Sequence, residues 1–599
     1  MRLAAMEGDE PAMFLYVSAL QRLALAAVQP PGVLSTSRQK LRQGAQRLWH
    51  RLRDDWRGTR VISFGLLLLL ITILALLAYY LNHPEVDTSA DTANYVNVAN
   101  NRILAGKGLV DPLRTPGYPL LITAVFLVFG RGNLFAVSIV QAVLFVLTTL
   151  EIYALALFIL KRAWIAFTIG VLIGINTYLL AYIKAIVVES LTLWLVATLA
   201  LAVVVCVQRS KARDLWLVAA LTLALFMTRP EWAYLPVPLF AYLLFIAARR
   251  GMFRRLLPHA LGAVLALYGV LGLYIYVNGQ QNGFYGITEV QRLNLVGKVL
   301  QYHMQDEAPP EYAALVQDID TFLKTHPPDP YQLADEYPIF ANNYWELGGN
   351  YADAVVIHHP IQFVLDTLPL FLTTWQQVTS FSSISPHGPF LTPLLAINSI
   401  TGDISQAFPA FPVFVLLWLG LICWRRTSRL PSVEMMCAVV LLAFYELFCT
   451  SLGGYVEFWR LHIPFEPLLI LIIYGSALWA LSLWGVQISR WVTIPWRVVW
   501  WLWGALIAGG LVVNVALAWL AGGAQGVFHP STWLVVQVLA NHPTRGLIVL
   551  ALVGLLTLLS YRAHRRALLA SASGEQESQG DKTSQPLPDA VPDQAIEAN

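Results

Sequence analysis

The feature that most constrains this chain is a series of apolar runs, each long enough to cross a bilayer, set between short basic loops. About 20 apolar residues at 1.5 Å each match the ~30 Å hydrocarbon layer. Such runs fall at 61–81, 134–160, 164–182, 187–207, 214–229, 232–248, 256–277, 409–424, 433–451, 462–485, 498–521 and 545–561. Segment 118–130 is shorter and reads as a juxtamembrane helix or half a span. Of the 599 residues, 57% are hydrophobic and 13% charged, against about 25% charged in soluble domains. An all-α, polytopic integral membrane protein with about twelve spans follows.

Charge placement orients the chain. Lys161-Arg162, Arg209 to Arg213, Arg249 to Arg255, Arg425 to Arg429, Arg490 with Arg497, and Arg562 to Arg566 occupy alternate loops, on the side of the basic stretch Arg38 to Arg60. The positive-inside rule makes that side cytoplasmic. Both termini are then expected in the cytoplasm of a multi-pass cell-membrane protein. Residues 1–60 form a basic N-terminal region, 61–485 the main membrane region, 486–561 further spans, and 562–599 a polar tail with the composition of a disordered segment. The long polar loops 82–117 and 278–408, with amphipathic helices in the second, fall on the outer face. Its four Cys all lie in apolar runs, so neither a disulfide framework nor a Cys metal site is expected.

The loop after the first run carries the chemistry. Asp91, Tyr95, Val98 and Arg102 share one helical face by spacing, with Thr88 or Ser89 as cap. Pro116 and Pro119 then stiffen the return to apolar sequence. Asp91 is the candidate catalytic carboxylate, and Asp87 its rival. Other ionisable residues fall at the same predicted depth: Lys184 and Glu189, Arg229-Pro-Glu231, Lys298, and Glu457, Arg460 and His462. Charges near hydrocarbon cost several kcal/mol unless paired or hydrated, which marks them as functional candidates. A carboxylate base beside cations that hold a phosphate would suit transfer of a sugar from a lipid phosphate. Bland readings stand beside these. Glu189 would also favour a helix N-terminus, Arg229 can be a snorkelling turn residue, and Arg460 can pair with Glu457 at i+3. His358-His359 point to different helical faces, which speaks against a shared metal.

These residues resemble the GT-C membrane glycosyltransferases, the class of protein mannosyltransferases and aminoarabinose transferases. The matching motifs are Asp91-Thr-Ala-Asn-Tyr95 with Gly106-Lys-Gly108, Arg114-Thr-Pro-Gly-Tyr-Pro119, Glu189-Ser-Leu, Thr228-Arg-Pro-Glu231, Asn294-Leu-Val-Gly-Lys298 and Glu457-Phe-Trp-Arg460. They cover about residues 60 to 480. The resemblance implies a GT-C-like fold, a polyprenyl-phosphate sugar donor, an envelope lipid, glycan or protein acceptor, inversion at the anomeric carbon, Asp91 as base and Glu189 as the second acidic position. Glu189, Arg229, Lys298, Arg460, Lys184, Tyr95, Arg102, Arg114, Glu231 and Glu457 are the candidate substrate- and phosphate-binding residues. Many members have an Asp-Glu pair where Asp91 is followed by Thr92. Some bind a divalent metal ion; no ligand set for one stands out here. A transporter or flippase, and an envelope polysaccharide polymerase or ligase, are the alternative readings.

Overall fold

A computed structural model of the chain describes residues 56–336, 338–374, 391–398, 410–424, 430–455 and 458–479. Among these the only β pairing is an isolated bridge between Asp87 and Ala185, and the named elements are all helices joined by turns and loops. The expected runs at 498–521 and 545–561, the N-terminal region to Asp55, the tail and Glu457 lie outside the described residues.

Helix α1 (Trp56–Asn82) is followed by α2 (Ala90–Val98) and α3 (Gly117–Phe129). Then come α4 (Leu134–Leu160), α5 (Ala163–Gly174), α6 (Thr177–Lys184), α7 (Glu189–Arg209), α8 (Ala212–Thr228), α9 (Pro236–Arg249) and α10 (Phe253–Asn282). Five helices are long and apolar enough to cross a membrane: Arg60–Asn82, Leu134–Leu160, Glu189–Arg209, Phe253–Asn282 and Pro431–Gly453. Helices α5 and α6 form a sixth if taken as one span bent by 52°. Asn176 explains the bend, because its side-chain oxygen accepts from the backbone N–H groups of Tyr178 and Leu179 and starts a new helix. The expected runs at 232–248, 409–424 and 462–485 correspond to helices of 10–17 residues, so twelve full spans are not seen among the described residues. Segment 118–130 is the 13-residue α3.

A second, smaller core lies beyond the spans. It is built by α11 (Glu289–Gln301), α12 (Ala313–Leu323), α13 (Pro330–Glu336), α14 (Pro338–His358) and the start of α15 (Pro360–Thr374). Leu293, Val296, Leu300, Ile319, Tyr351 and Phe363 fill it, and Leu452 packs against it from the end of a span. Helices α16 (Ala410–Cys423), α17 (Pro431–Gly453), α18 (Phe458–Leu461) and α19 (Glu466–Ile470) complete the bundle. At its opposite end Arg250 pairs with Glu434 and donates to the carbonyls of Val207 and Gln208.

Close backbone approach locks α3 to α8. A Cβ on Gly117 would sit 2.7 Å from the carbonyl oxygen of Met227 and 2.5 Å from Thr228 Oγ1. A backbone neighbour cannot swing away as a side chain tip can. Gly117→Ala should therefore force the helices apart, at a cost of about 1–3 kcal/mol. The expected result is a lower unfolding midpoint in detergent; an unchanged midpoint would refute the close contact.

Candidate functional site

The loop from Asp87 to Gly117 is assembled by short local rules. Ser89 caps α2 in a capping box: its Oγ accepts from Thr92 N, and Thr92 Oγ1 accepts from Ser89 N at 2.9 Å. Thr92 Oγ1 also donates to the carbonyl of Ile186 at 2.9 Å, which ties α2 to the turn before α7. After Val98 the helix widens into a π-turn, Ala99–Ile103. The extra residue per turn rotates Arg102 away from the Asp91 face. Arg102 instead pairs with Asp111 at 2.9 Å and donates to Asn282 Oδ1 at 2.7 Å. Asp111 in turn accepts from the backbone N–H groups of Leu113 and Arg114 at 2.9 and 3.1 Å, an Asx-type turn that aims Arg114 back at α2.

Asp91 sits between two guanidiniums. Arg114 Nη2 contacts Oδ1, and Arg460 Nη2 donates to Oδ2 at 2.6 Å. Arg460 Nε donates to Glu189 Oε1 at 2.7 Å, so one arginine spans both carboxylates. Glu189 is 1% exposed and Asp91 23%, which leaves Asp91 as the accessible acid. Burial raises the Asp91 pKa, but Arg114 and Arg460 outweigh it and hold the carboxyl below its ordinary range. Glu189 is also the first residue of α7, so its helix-terminus role and its place in the cluster coexist. Tyr95 lies beneath: Arg114 stacks over its ring at 5.1 Å, and Tyr118 meets it edge-on at 5.0 Å. Gln141 anchors this floor, accepting from Tyr118 Oη and donating to the carbonyls of Ile183 and Ala185 at 2.7 and 2.8 Å.

A second acid-base group adjoins the first. Pro230 restricts the preceding residue to extended backbone, and Arg229 obeys, with φ −141° and ψ 124°. Its side chain then turns inward, pairs with Glu231, and donates to the carbonyl of Leu461 at 3.2 Å. Leu461 follows Arg460 directly, so the two groups share a strut. Glu446 on α17 is fully buried and close enough to Arg229 and Glu231 to feel their charges. Tyr445 Oη donates to the Glu231 carbonyl. Three arginines thus face four carboxylates: Asp91, Glu189, Glu231 and Glu446.

Other sequence candidates lie elsewhere. Lys184 is buried but donates to the His83 carbonyl beside Tyr79, Tyr80 and Asp87. Lys298 belongs to the smaller core, where it donates to Tyr302 Oη at 3.1 Å and burial pushes its pKa down to about 6. His358 and His359 are separated by their contacts, with the Ala354 carbonyl and Glu307 respectively. Tyr331 on α13, not singled out from sequence, lies near Arg114. Pro328, three residues before it, accepts from Tyr455 Oη just beyond the end of α17. No local sequence signal marks Tyr331, because it lies more than 200 residues from Arg114 in the chain and only the packing of α13 brings it there. Among the described residues no three His, Cys, Asp or Glu side chains converge as a metal cage, and both Asp91 oxygens are taken by guanidiniums, so the donor set does not fit a divalent ion.

Residues 113–276, about a quarter of the chain, match the sequence profile of the family described as dolichyl-phosphate-mannose-protein mannosyltransferase, which carries the GT-C resemblance. No curated protein matches the chain. Two solved structures from Archaeoglobus fulgidus are similar to it. One is the oligosaccharyltransferase AglB in complex with an inhibitory peptide and a dolichol-phosphate, at 12% identity over 77% of this chain and TM-score 0.38. The other is the oligosaccharyltransferase in the apo form, at 13% identity over 80% and TM-score 0.40. This chain covers 56% of the length of each.

Arg460 holds two acids that would otherwise repel. Removing one partner of a buried charge group costs about 3–5 kcal/mol, so Arg460→Met should lower the unfolding midpoint strongly. Arg460→Lys should recover only part, since an ammonium lacks the planar fork. The Asp91 clamp contributes to stability above about pH 4, and that contribution is lost as pH falls through the lowered folded-state pKa. The gap between the parent and Arg460→Met in detergent melts should accordingly narrow in acid; a constant gap would contradict the clamp.

Proposed function

From the mannosyltransferase-family match of residues 113–276, a region that contains Arg114, Glu189 and Arg229, we propose that this chain is an integral-membrane glycosyltransferase using a polyprenyl-phosphate sugar. The acceptor is an envelope lipid, glycan or protein, and the site faces the outer side of the membrane. The observation that carries the reading is the placement of Asp91, the more accessible acid of the cluster, between the guanidiniums of Arg114 and Arg460.

The reaction uses that clamp twice. A phosphodiester entering the site competes with Asp91 for the two guanidiniums, which match phosphate oxygens as well as carboxylate oxygens. Asp91, relieved of its partners, becomes a stronger base. The acceptor hydroxyl gives its proton to Asp91 while its oxygen attacks the anomeric carbon from the face opposite the phosphate. The bond from the anomeric carbon to the phosphate oxygen breaks, and the electron pair leaves with the polyprenyl phosphate. Configuration inverts, and Asp91 later passes its proton to solvent. Arg114 and Arg460 stabilise the charge that gathers on the leaving phosphate. Glu189 acts as a positioning residue by fixing the Arg460 fork, and Arg229 with Glu231 fixes the Leu461 strut beside it. Lys298 is held in the smaller core by its contact with Tyr302 Oη and is not assigned to the phosphate.

Asp91→Asn should reduce transfer from polyprenyl-phospho-mannose by about 10²–10⁴-fold while donor binding, measured with labelled lipid, persists. Unchanged transfer would exclude Asp91 as base. A single added sugar in the product mass spectrum supports a transferase over a polymerase, which gives a ladder. The acidic limb of kcat/KM should lie below the usual carboxylate range in the parent. Arg114→Gln removes a positive neighbour, so the Asp91 pKa rises and the limb moves to higher pH. A limb that stays fixed would argue that another group is titrating.

A further inference from the structure

Helices α14 and α15 meet at a 96° bend between His358 and Pro360. Residues 361, 364, 365 and 368 follow the i, i+3, i+4, i+7 rule and form one stripe on α15. All four are apolar and exposed: Ile361 76%, Val364 47%, Leu365 57% and Leu368 40%. Ile357, on the other arm of the bend, is 73% exposed. The opposite face of α15 is buried, with Phe363 in the smaller core and Thr367 accepting from Tyr302 Oη. A protruding corner of this composition in water is an aggregation hazard.

Its surroundings identify what covers it. Helix α17 is a candidate span, and its Leu452 packs on the smaller core, as Phe363 of α15 does. Farther along, Phe371 of α15 packs against Phe448 and Phe444 of α17, with ring centroids 6.2 and 5.3 Å away. Those rings lie four and eight residues before Leu452, or about 6 and 12 Å along the helix axis. Helix α15 therefore runs down beside a span, from the level of the smaller core into the depth of the hydrocarbon. Phe444 and Phe448 are themselves 41% and 38% exposed, so the α15 stripe continues an apolar surface that a bilayer must already cover. Gln362 and Asp366 of this helix flank the stripe and do not interrupt it.

We propose that the corner from Ile357 to Leu368 is a re-entrant membrane element, with its stripe in contact with lipid acyl chains of the leaflet on the Asp91 side. It does not span the bilayer. It seats the smaller core, and with it Tyr331 above Arg114, at a fixed height over the membrane. The proposal does not depend on which sugar is moved or on whether the protein is an enzyme.

An environment-sensitive fluorophore on Leu365→Cys, in full-length protein reconstituted in phosphatidylcholine vesicles, tests this. Cys423 is exposed and Cys449 half-buried, so both are first replaced by Ser, with a single gel-filtration peak as the folding check. Nitroxide carried on lipid acyl chains should quench the label at 365 several-fold more than a label on Lys324→Cys, and aqueous iodide should show the reverse order. Ile361→Cys serves if the first variant is not monodisperse. Iodide quenching at 365 and 361 equal to that at 324 would overturn the proposal. So would shielding at 365 that vanishes at one copy per vesicle, which would make the occupant a second chain.

Discussion

One guanidinium closes the site. Arg460 donates to Asp91, 369 residues away in sequence, and to Glu189, 271 residues away. Through its neighbour Leu461 it also braces Arg229. Three segments from distant parts of the chain therefore meet at one side chain. In a bilayer this economy has a physical cause. Charges near hydrocarbon need partners, and a planar fork with several donors satisfies two acids where an ammonium serves one poorly.

The helix ends around it are as informative as the spans. Breaks at Asn176, at Arg229-Pro230 and at the π-turn after Val98 redirect the chain around the cluster. Each break follows from a local rule: an Asn cap, a residue before proline, an extra residue in a turn. The bundle supplies rigidity, and these short irregularities supply aim. Gly117 adds the remaining condition, since only a residue without Cβ lets the Arg114 loop lie against the end of α8.

Much of this was legible in the sequence, and the reasons for the rest are specific. Apolar runs marked the helices, because hydrocarbon thickness sets a length that composition can reveal. The count of twelve is not reproduced among the described residues, where five helices have the full length and run 164–182 is cut by the Asn176 cap that hydropathy alone passes over. Helical spacing put Asp91 and Tyr95 on one face, and both line the cluster. It failed for Arg102 because a π-turn shifts the register, which no pattern of apolar residues records. Shared depth grouped Lys184 with Asp91, but depth says nothing about position around the bundle, and Lys184 lies beside Asp87 instead. Glu231 and Glu446 illustrate a further limit: their closeness is a product of packing between α17 and the Arg229 turn, which single-chain periodicity cannot express.

The twin-arginine grip on Asp91 has a consequence for how a catalytic cycle would finish. A sugar-linked lipid phosphate carries about one negative charge, whereas the released monoester carries about 1.5 to 2 at neutral pH. In the proposed reaction, the pocket would tolerate that stronger anion while Asp91 is protonated. Once the proton escapes, the aspartate would regain its full charge and contend for the same two cations. Turnover would thus be self-clearing: the group that starts the displacement also evicts what the displacement leaves behind.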